Sequence, residues 1–167
     1  HSDYVSKIAF YGNDKLLTGS KDGMVKFWSL TEGGLLSDFE GHGDWVYSLA
    51  VHPSAPLGIS GSLNSSLFVW DLEKQEKAKS LVEGSTLMYV MGMTIGGGNS
   101  SGTGNRKATA CSVWTDDGRI VTCAHDVVVW NDKSWEVIWQ SDDLSKEIKD
   151  VIYIPEHKLL VTASATL

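Results

Sequence analysis

Five histidines, two cysteines and several adjacent acids are the side chains in this sequence with chemistry to offer. His42 stands in "GHGDWVYSLAVHP", residues 41–53, just ahead of a strict alternation of Val46, Ser48 and Ala50 against Tyr47, Leu49 and Val51. An imidazole there can serve as a base, ligate a metal or join a buried hydrogen-bond chain. His52 precedes Pro53, His125 adjoins Asp126 and His157 lies in "PEHK"; none has a carboxylate and a nucleophile at a recognisable spacing. HExxH is missing from the sequence. Asp116 with Asp117, and Asp142 with Asp143, adjoin turn signals, where carboxylates act as solvated caps. Cys111 and Cys123 fall in neighbouring apolar segments without CxxC or Cys/His ligand spacing, which reads as reduced, buried thiols. In "GGGNSSGTGNRK", residues 96–107, Lys107 precedes Ala108, so the GK[ST] of a phosphate loop is not formed. The expectation is a chain with no catalytic residue, no cofactor and no metal.

The elements that carry these residues follow a period of two. Turn signals at "GND", "KDG", "NSS", "DDG" and "PEHK" separate short alternating runs, and no helical pattern lasts three turns. The chain is therefore predicted to be all-β, with about fourteen strands in three groups of four plus two. Those at 108–114 and 135–140 enter the argument below. In "WEVIWQ", Trp135, Val137 and Trp139 share a face predicted to press between neighbouring sheets. At 167 residues and 42% hydrophobic content the chain can bury a sizeable core. Its net charge of -7 opposes phosphate backbones, so no nucleic-acid partner is expected. No apolar stretch approaches the roughly 20 residues of a membrane span, and "HSDYVSKIAF" lacks the order of a signal peptide, so no membrane insertion is expected.

An internal repeat organises the strands. "LLTGSKDGMVKFW" (16–28), "GISGSLNSSLFVWD" (58–71), "IVTCAHDVVVWN" (120–131) and "LLVTASA" (159–165) align as an apolar run followed by Ser or Thr and small residues. The first three continue through a turn into a strand closed by Trp28, Trp70 or Trp130. The interval between the first two tryptophans is about 42 residues, and the next is about 18 longer. The units are placed at about 1–40, 41–84, 108–140 and 145–167, with a Gly/Ser-rich insertion at 85–107 accounting for the excess. That insertion has few side chains to bury and is expected to form a flexible surface loop.

With Gly-His ahead of the first strand, Ser or Thr in the second, Asp in the following turn and Trp-Asp closing the third, the unit resembles the WD-repeat β-propeller family. The resemblance covers nearly the whole chain apart from the insertion. It implies blades of four antiparallel strands arranged in a partial ring. It also implies a structural role for the polar residues: His1, Thr18, Asp22 and Trp28 in the first unit, and His42, Ser60, Asn64 and Trp70 in the second, form buried hydrogen-bond chains. Asn64 replaces the usual Asp, giving a neutral and weaker partner. In the third unit Thr122, Asp126 and Trp130 fit, although no Gly-His precedes the strand at 108–114.

Function follows from the resemblance as expectation. The chain should be a non-catalytic scaffold for protein–protein interaction, a segment of a propeller that helps assemble a multiprotein complex. Its partners would be other proteins bound through rim loops, with Tyr4, Lys21, Trp45, Leu63 and His125 as the candidate contacts. A seven-blade ring would need roughly 290 residues. The remaining blades would come from the full-length chain, a second copy or a partner chain, and the 167-residue chain alone should be oligomeric or poorly soluble. Reduced cysteines point to a cytoplasmic or otherwise intracellular protein. The rival is a secreted carbohydrate-binding or carbohydrate-active propeller, allowed by the "NSS" triplets at Asn64 and Asn99 and by seven tryptophans.

Overall fold

The computed structural model describes residues 1–64, 66–82, 110–124, 126–141, 144 and 146–164. Among them are fourteen strands. The first sheet holds β1 (Val5–Tyr11), β2 (Lys15–Ser20), β3 (Val25–Ser29) and β4 (Gly34–Phe39). The second holds β5 (Val46–Val51), β6 (Leu57–Ser62), β7 (Leu67–Asp71) and β8 (Glu76–Val82). The third holds β9 (Cys111–Trp114), β10 (Arg119–Cys123), β11 (Val127–Asn131) and β12 (Val137–Gln140). A two-stranded sheet of β13 (Ile148–Ile154) and β14 (Leu159–Ser164) follows. Every four-stranded sheet is an antiparallel meander with strands in sequence order, so each is a blade. The ring is not closed. The insertion placed at 85–107 lies outside the described residues.

Alternation places the core between blades. Along β7, Phe68 and Trp70 join Leu17, Val25, Phe27 and Phe39 of the first blade, while Leu67 and Val69 join Trp114, Ile120 and Trp130 of the third. Likewise in β10, Ile120 faces the second blade, and Val121 and Cys123 pack with Ile148 and Val151 of the two-stranded sheet. A strand buried on both faces reads as a continuous apolar run, which is why β7 and β10 are Leu-Phe-Val-Trp and Ile-Val-Thr-Cys. The first strands stack in a row, β1 on β5, β5 on β9 and β9 on β13. A hydrogen bond also crosses a blade boundary: His52 Nε2 lies 3.2 Å from Asp132 Oδ2. His52 Nδ1 accepts the amides of Ser54 and Ala55, so Nε2 carries the proton that is donated to Asp132.

Two sequence expectations need correction. Trp135 adopts φ +62° in the turn before β12 and leans on the core between the second and third blades, instead of continuing the strand. Val137, Ile138 and Trp139 are all exposed, Trp139 54%, because β12 is the last strand of its blade, and a register shift sets Val137 opposite Trp130 and Trp139 opposite Val129, so the two do not share a face. The strand was legible, but alternation on paper shows neither the bulge that breaks it nor whether a second sheet covers the face. Apolar side chains are also open at the two ends of the row: Ile8 and Phe10 on β1, and Ile152 and Leu159 around the hairpin of β13 and β14.

Candidate functional site

Each of the first two blades carries the same polar chain, built in one direction. In the first blade the Trp28 indole N–H donates to Thr18 Oγ1 (2.8 Å), and His1 Nε2 lies 2.6 Å from that hydroxyl. Since Thr18 accepts from the indole, its own proton goes to His1 Nε2, and His1 Nδ1–H donates to the Asp22 carboxylate at 2.9 Å. Burial opposes ionisation of Asp22, but the amides of Met24 and Ser2 donate to it and hold the carboxyl below its ordinary value.

The second blade ends its chain differently. Trp70 N–H donates to Ser60 Oγ (2.7 Å), which lies 2.6 Å from His42 Nε2. His42 Nδ1 then meets the Ser66 hydroxyl at 2.5 Å, and Ser66 donates to Asn64 Oδ1 at 2.6 Å. His42 reaches Asn64 only through Ser66, a residue that the sequence reading missed. Burial, and then the field of Lys77, push the His42 imidazole down to about 3. It is neutral, and protonation at Nε2 would leave the Ser60 hydroxyl without its acceptor. In the third blade Trp130 donates to Thr122 Oγ1 (3.0 Å), while Asp126 Oδ2 accepts from Gln140 Nε2 (2.9 Å).

These chains hold the rim that carries the candidate contacts. "HSDY" and "HGDW" are the same signature, histidine followed at the third and fourth positions by aspartate and an aromatic, and the fold treats them alike. Ser20 Oγ grips the carbonyl of Asp3 (3.1 Å) as Ser62 Oγ grips that of Asp44 (2.9 Å). Lys21 N–H donates to the Tyr4 carbonyl (2.9 Å) as Leu63 N–H donates to that of Trp45 (2.8 Å). Gly23, at φ +79°, lets the first blade's turn press on the second: a Cβ there would stand 2.6 Å from the His42 carbonyl oxygen.

Tyr4, Lys21 and Trp45 thereby meet. The Lys21 ammonium lies 3.9 Å from the Trp45 ring centroid and 5.3 Å from that of Tyr4, and Trp45 stacks on Tyr47 at 6.0 Å. Tyr4 is 76% exposed and Trp45 36%. Leu63 sits beside Trp45 through its backbone bond; His125 lies outside the described residues. Asp3, Asp44, Ser20, Ser62 and Tyr47 were missed, and the repeated His-x-Asp-aromatic signature is the signal that would have found them.

Little of the remaining chemistry converges. The Asp117 carboxylate accepts the Thr115 hydroxyl and faces Arg119, and Asp116 accepts the Tyr153 phenol at 2.6 Å. Cys111 pairs with Cys123 across β9 and β10, both as free, buried thiols. A cleft of about 400 Å³ between the first two blades includes Tyr11, Asp14 and His52. His52 is already held by Asp132 and two amides. Among the described residues no group of three or more His, Cys, Asp or Glu could hold a metal ion.

The family profile described as "WD domain, G-beta repeat" matches residues 1–29 and 33–71, the two units in which the His-to-Trp chain is complete. The chain carries WD repeats. Among its relatives is a p21-activated protein kinase-interacting protein 1-like of Xenopus laevis, 32% identical over 78 residues, which cover 47% of this chain and 22% of that protein. Cell division control protein 4 of Candida albicans is 35% identical over 92 residues, 54% of this chain and 13% of its own. Small ribosomal subunit protein RACK1y of Oryza sativa subsp. japonica is 32% identical over 90 residues, 52% of this chain and 27% of its own. The chain thus spans about a fifth of the length of the first curated relatives it matches. WD-repeat proteins are in general interaction scaffolds, and the resemblance read from the sequence holds for family and fold alike.

Proposed function

We propose that this WD-repeat segment is a non-catalytic scaffold that binds a protein partner through the rim patch of Tyr4, Lys21, Trp45 and Leu63, with His125 as a further contact, and so helps assemble a multiprotein complex. One observation carries the reading: three side chains far apart in sequence converge into an exposed aromatic and cationic cluster on backbone held by the same bonds in two blades. Rigid aromatic anchors on a fixed frame lose little entropy on binding and dominate interface energies. Catalysis has no part in the proposal, because the buried histidines spend both ring nitrogens inside the fold.

The partner is a protein and not nucleic acid, given the charge of -7. We place it in the cytoplasm or another intracellular compartment, where the two buried thiols stay reduced. Nothing observed favours the secreted carbohydrate reading, and Asn64 is engaged in the turn by the Ser66 amide and hydroxyl. The open apolar faces of β1 and of the last hairpin would be covered by blades from the full-length chain, a second copy or a partner chain. The 167-residue chain should then scatter light as a dimer or larger species, and a longer chain carrying the missing blades as a monomer.

A double substitution, Tyr4→Ser with Trp45→Ser, tests the rim. Proteins retained from a native extract should fall at least about tenfold with the melting transition unchanged, because truncating an aromatic anchor typically costs that much. Undiminished retention of every partner would remove the patch from the function.

A further inference from the structure

Lys21 occupies the aromatic cluster as a ligand would. Its side chain crosses from the turn of the first blade to the Trp45 ring of the second, and its ammonium sits over two ring faces at distances that favour a cation. Among the described residues no ion pair anchors that ammonium. Asp3 and Asp44 each directly precede one of the two aromatics and accept its amide, while the adjacent Asp22 carboxylate is taken up by His1 and the amides of Ser2 and Met24. The equivalent turn position in the second blade is Leu63, so the repeat does not require a cation there.

The Asp3 and Asp44 carboxylates flank the two aromatics within a chain of net charge -7, a setting that favours a cation. We propose that this patch is a recognition site for a basic side chain of the partner, arginine above lysine, and that Lys21 is a resident placeholder which the incoming cation displaces. The proposal rests on the rim reading above and names what the rim recognises. A guanidinium suits the exchange: it is planar, stacks on indole and is less strongly hydrated than an ammonium. Exposed cation–aromatic contacts are weak, so the flexible lysine gives way readily and swings into solvent. An acidic partner is disfavoured, because it would have to reach an ammonium screened by two rings while facing Asp3 and Asp44.

The test titrates the 167-residue chain with two capped pentapeptides, Gly-Ala-Arg-Ala-Gly and Gly-Ala-Glu-Ala-Gly. The readout is the Trp45 indole N–H resonance, identified with Trp45→Phe, at 0.5 M salt to screen long-range attraction. The arginine peptide should shift that resonance. Lys21→Gln should bind it about fivefold more tightly, the gain from vacating a site with an exposed resident cation. Trp45→Ala should lose the binding, and Lys15→Gln, which removes the same charge at the other end of β2, should leave it unchanged. Equal gains from Lys21→Gln and Lys15→Gln would reduce the effect to net charge and overturn the proposal. Binding of the glutamate peptide that Lys21→Gln abolishes would overturn it too, making the ammonium the recognition group. Failure of the arginine peptide to shift the resonance at millimolar concentration in either protein would also sink it. If partner capture nevertheless fell in the Tyr4→Ser and Trp45→Ser double variant, the rim reading would stand without the cation site.

Discussion

The first and second blades solve one problem with different chemistry. Both must bury a tryptophan N–H, a hydroxyl and an imidazole without leaving a donor or acceptor unpaired, and both do so with a relay running from indole to histidine. They differ at the far end, where His1 delivers its proton to a carboxylate held ionised by two amides and His42 delivers its own through Ser66 to a carboxamide. The first relay ends on a charged carboxylate; the second ends on a neutral carboxamide, and burial with the field of Lys77 keeps its imidazole unprotonated. The two blades are therefore equivalent in shape and unlike in their response to acid.

The largest expected break in that comparison is His42→Ala, which takes the acceptor from the Ser60 hydroxyl and the donor from Ser66 in the core and should cost ~1–3 kcal/mol in urea unfolding. His1→Ala should cost about 1 kcal/mol or less, since its relay is only partly buried. Equal losses would erase the distinction.

Acid should separate the blades next. The fold holds His42 neutral down to about 3, whereas the unfolded chain takes up that proton near 6.5. The second blade's stability is therefore full above pH 6.5 and declines, by up to ~1.4 kcal/mol per unit, as pH falls from there toward 3. Asp22 runs the same way in a lower window, its contribution intact above its ordinary 3.8 and lost as pH drops through its lower folded value. Hydrogen exchange of the Trp70 indole should accelerate below pH 6.5 while that of Trp28 holds to about pH 4; parallel acceleration would refute the assignment of the neutral relay.

Removing only the relay hydroxyl, Ser66→Ala, should cost ~1 kcal/mol by stranding the His42 Nδ1 proton, which thermal unfolding would register. The smallest effect at neutral pH is expected from Asn64→Asp, under about 1 kcal/mol, yet it should raise the His42 pKa by placing a carboxylate behind Ser66. Titration of the His42 ring by NMR would read that shift, and an unmoved pKa would mean that Ser66 insulates the two.

The blades' strands, turns and closing tryptophans were legible because alternation and Gly/Asp turns are local rules, obeyed over five to ten residues. So was the membership of the first relay, where His1, Thr18, Asp22 and Trp28 stand at fixed offsets. Ser66 was not, because a hydroxyl beside an Asx turn looks like any turn serine until the strand places it between imidazole and carboxamide. Trp135 was misjudged for the reverse reason: a periodic pattern continued on paper where the backbone turned to φ +62°.

By itself, then, the sequence determined the period, the sheet class and which residues could satisfy one another within a blade, since those depend on spacing along one chain. Only the tertiary structure decided which face of each strand met a neighbour, and it alone brought Lys21 of the first blade onto Trp45 of the second. It also tied His52 to Asp132 across the next boundary. Contacts between blades depend on how two sheets twist and stack, and that packing geometry leaves no fixed interval in the sequence to read.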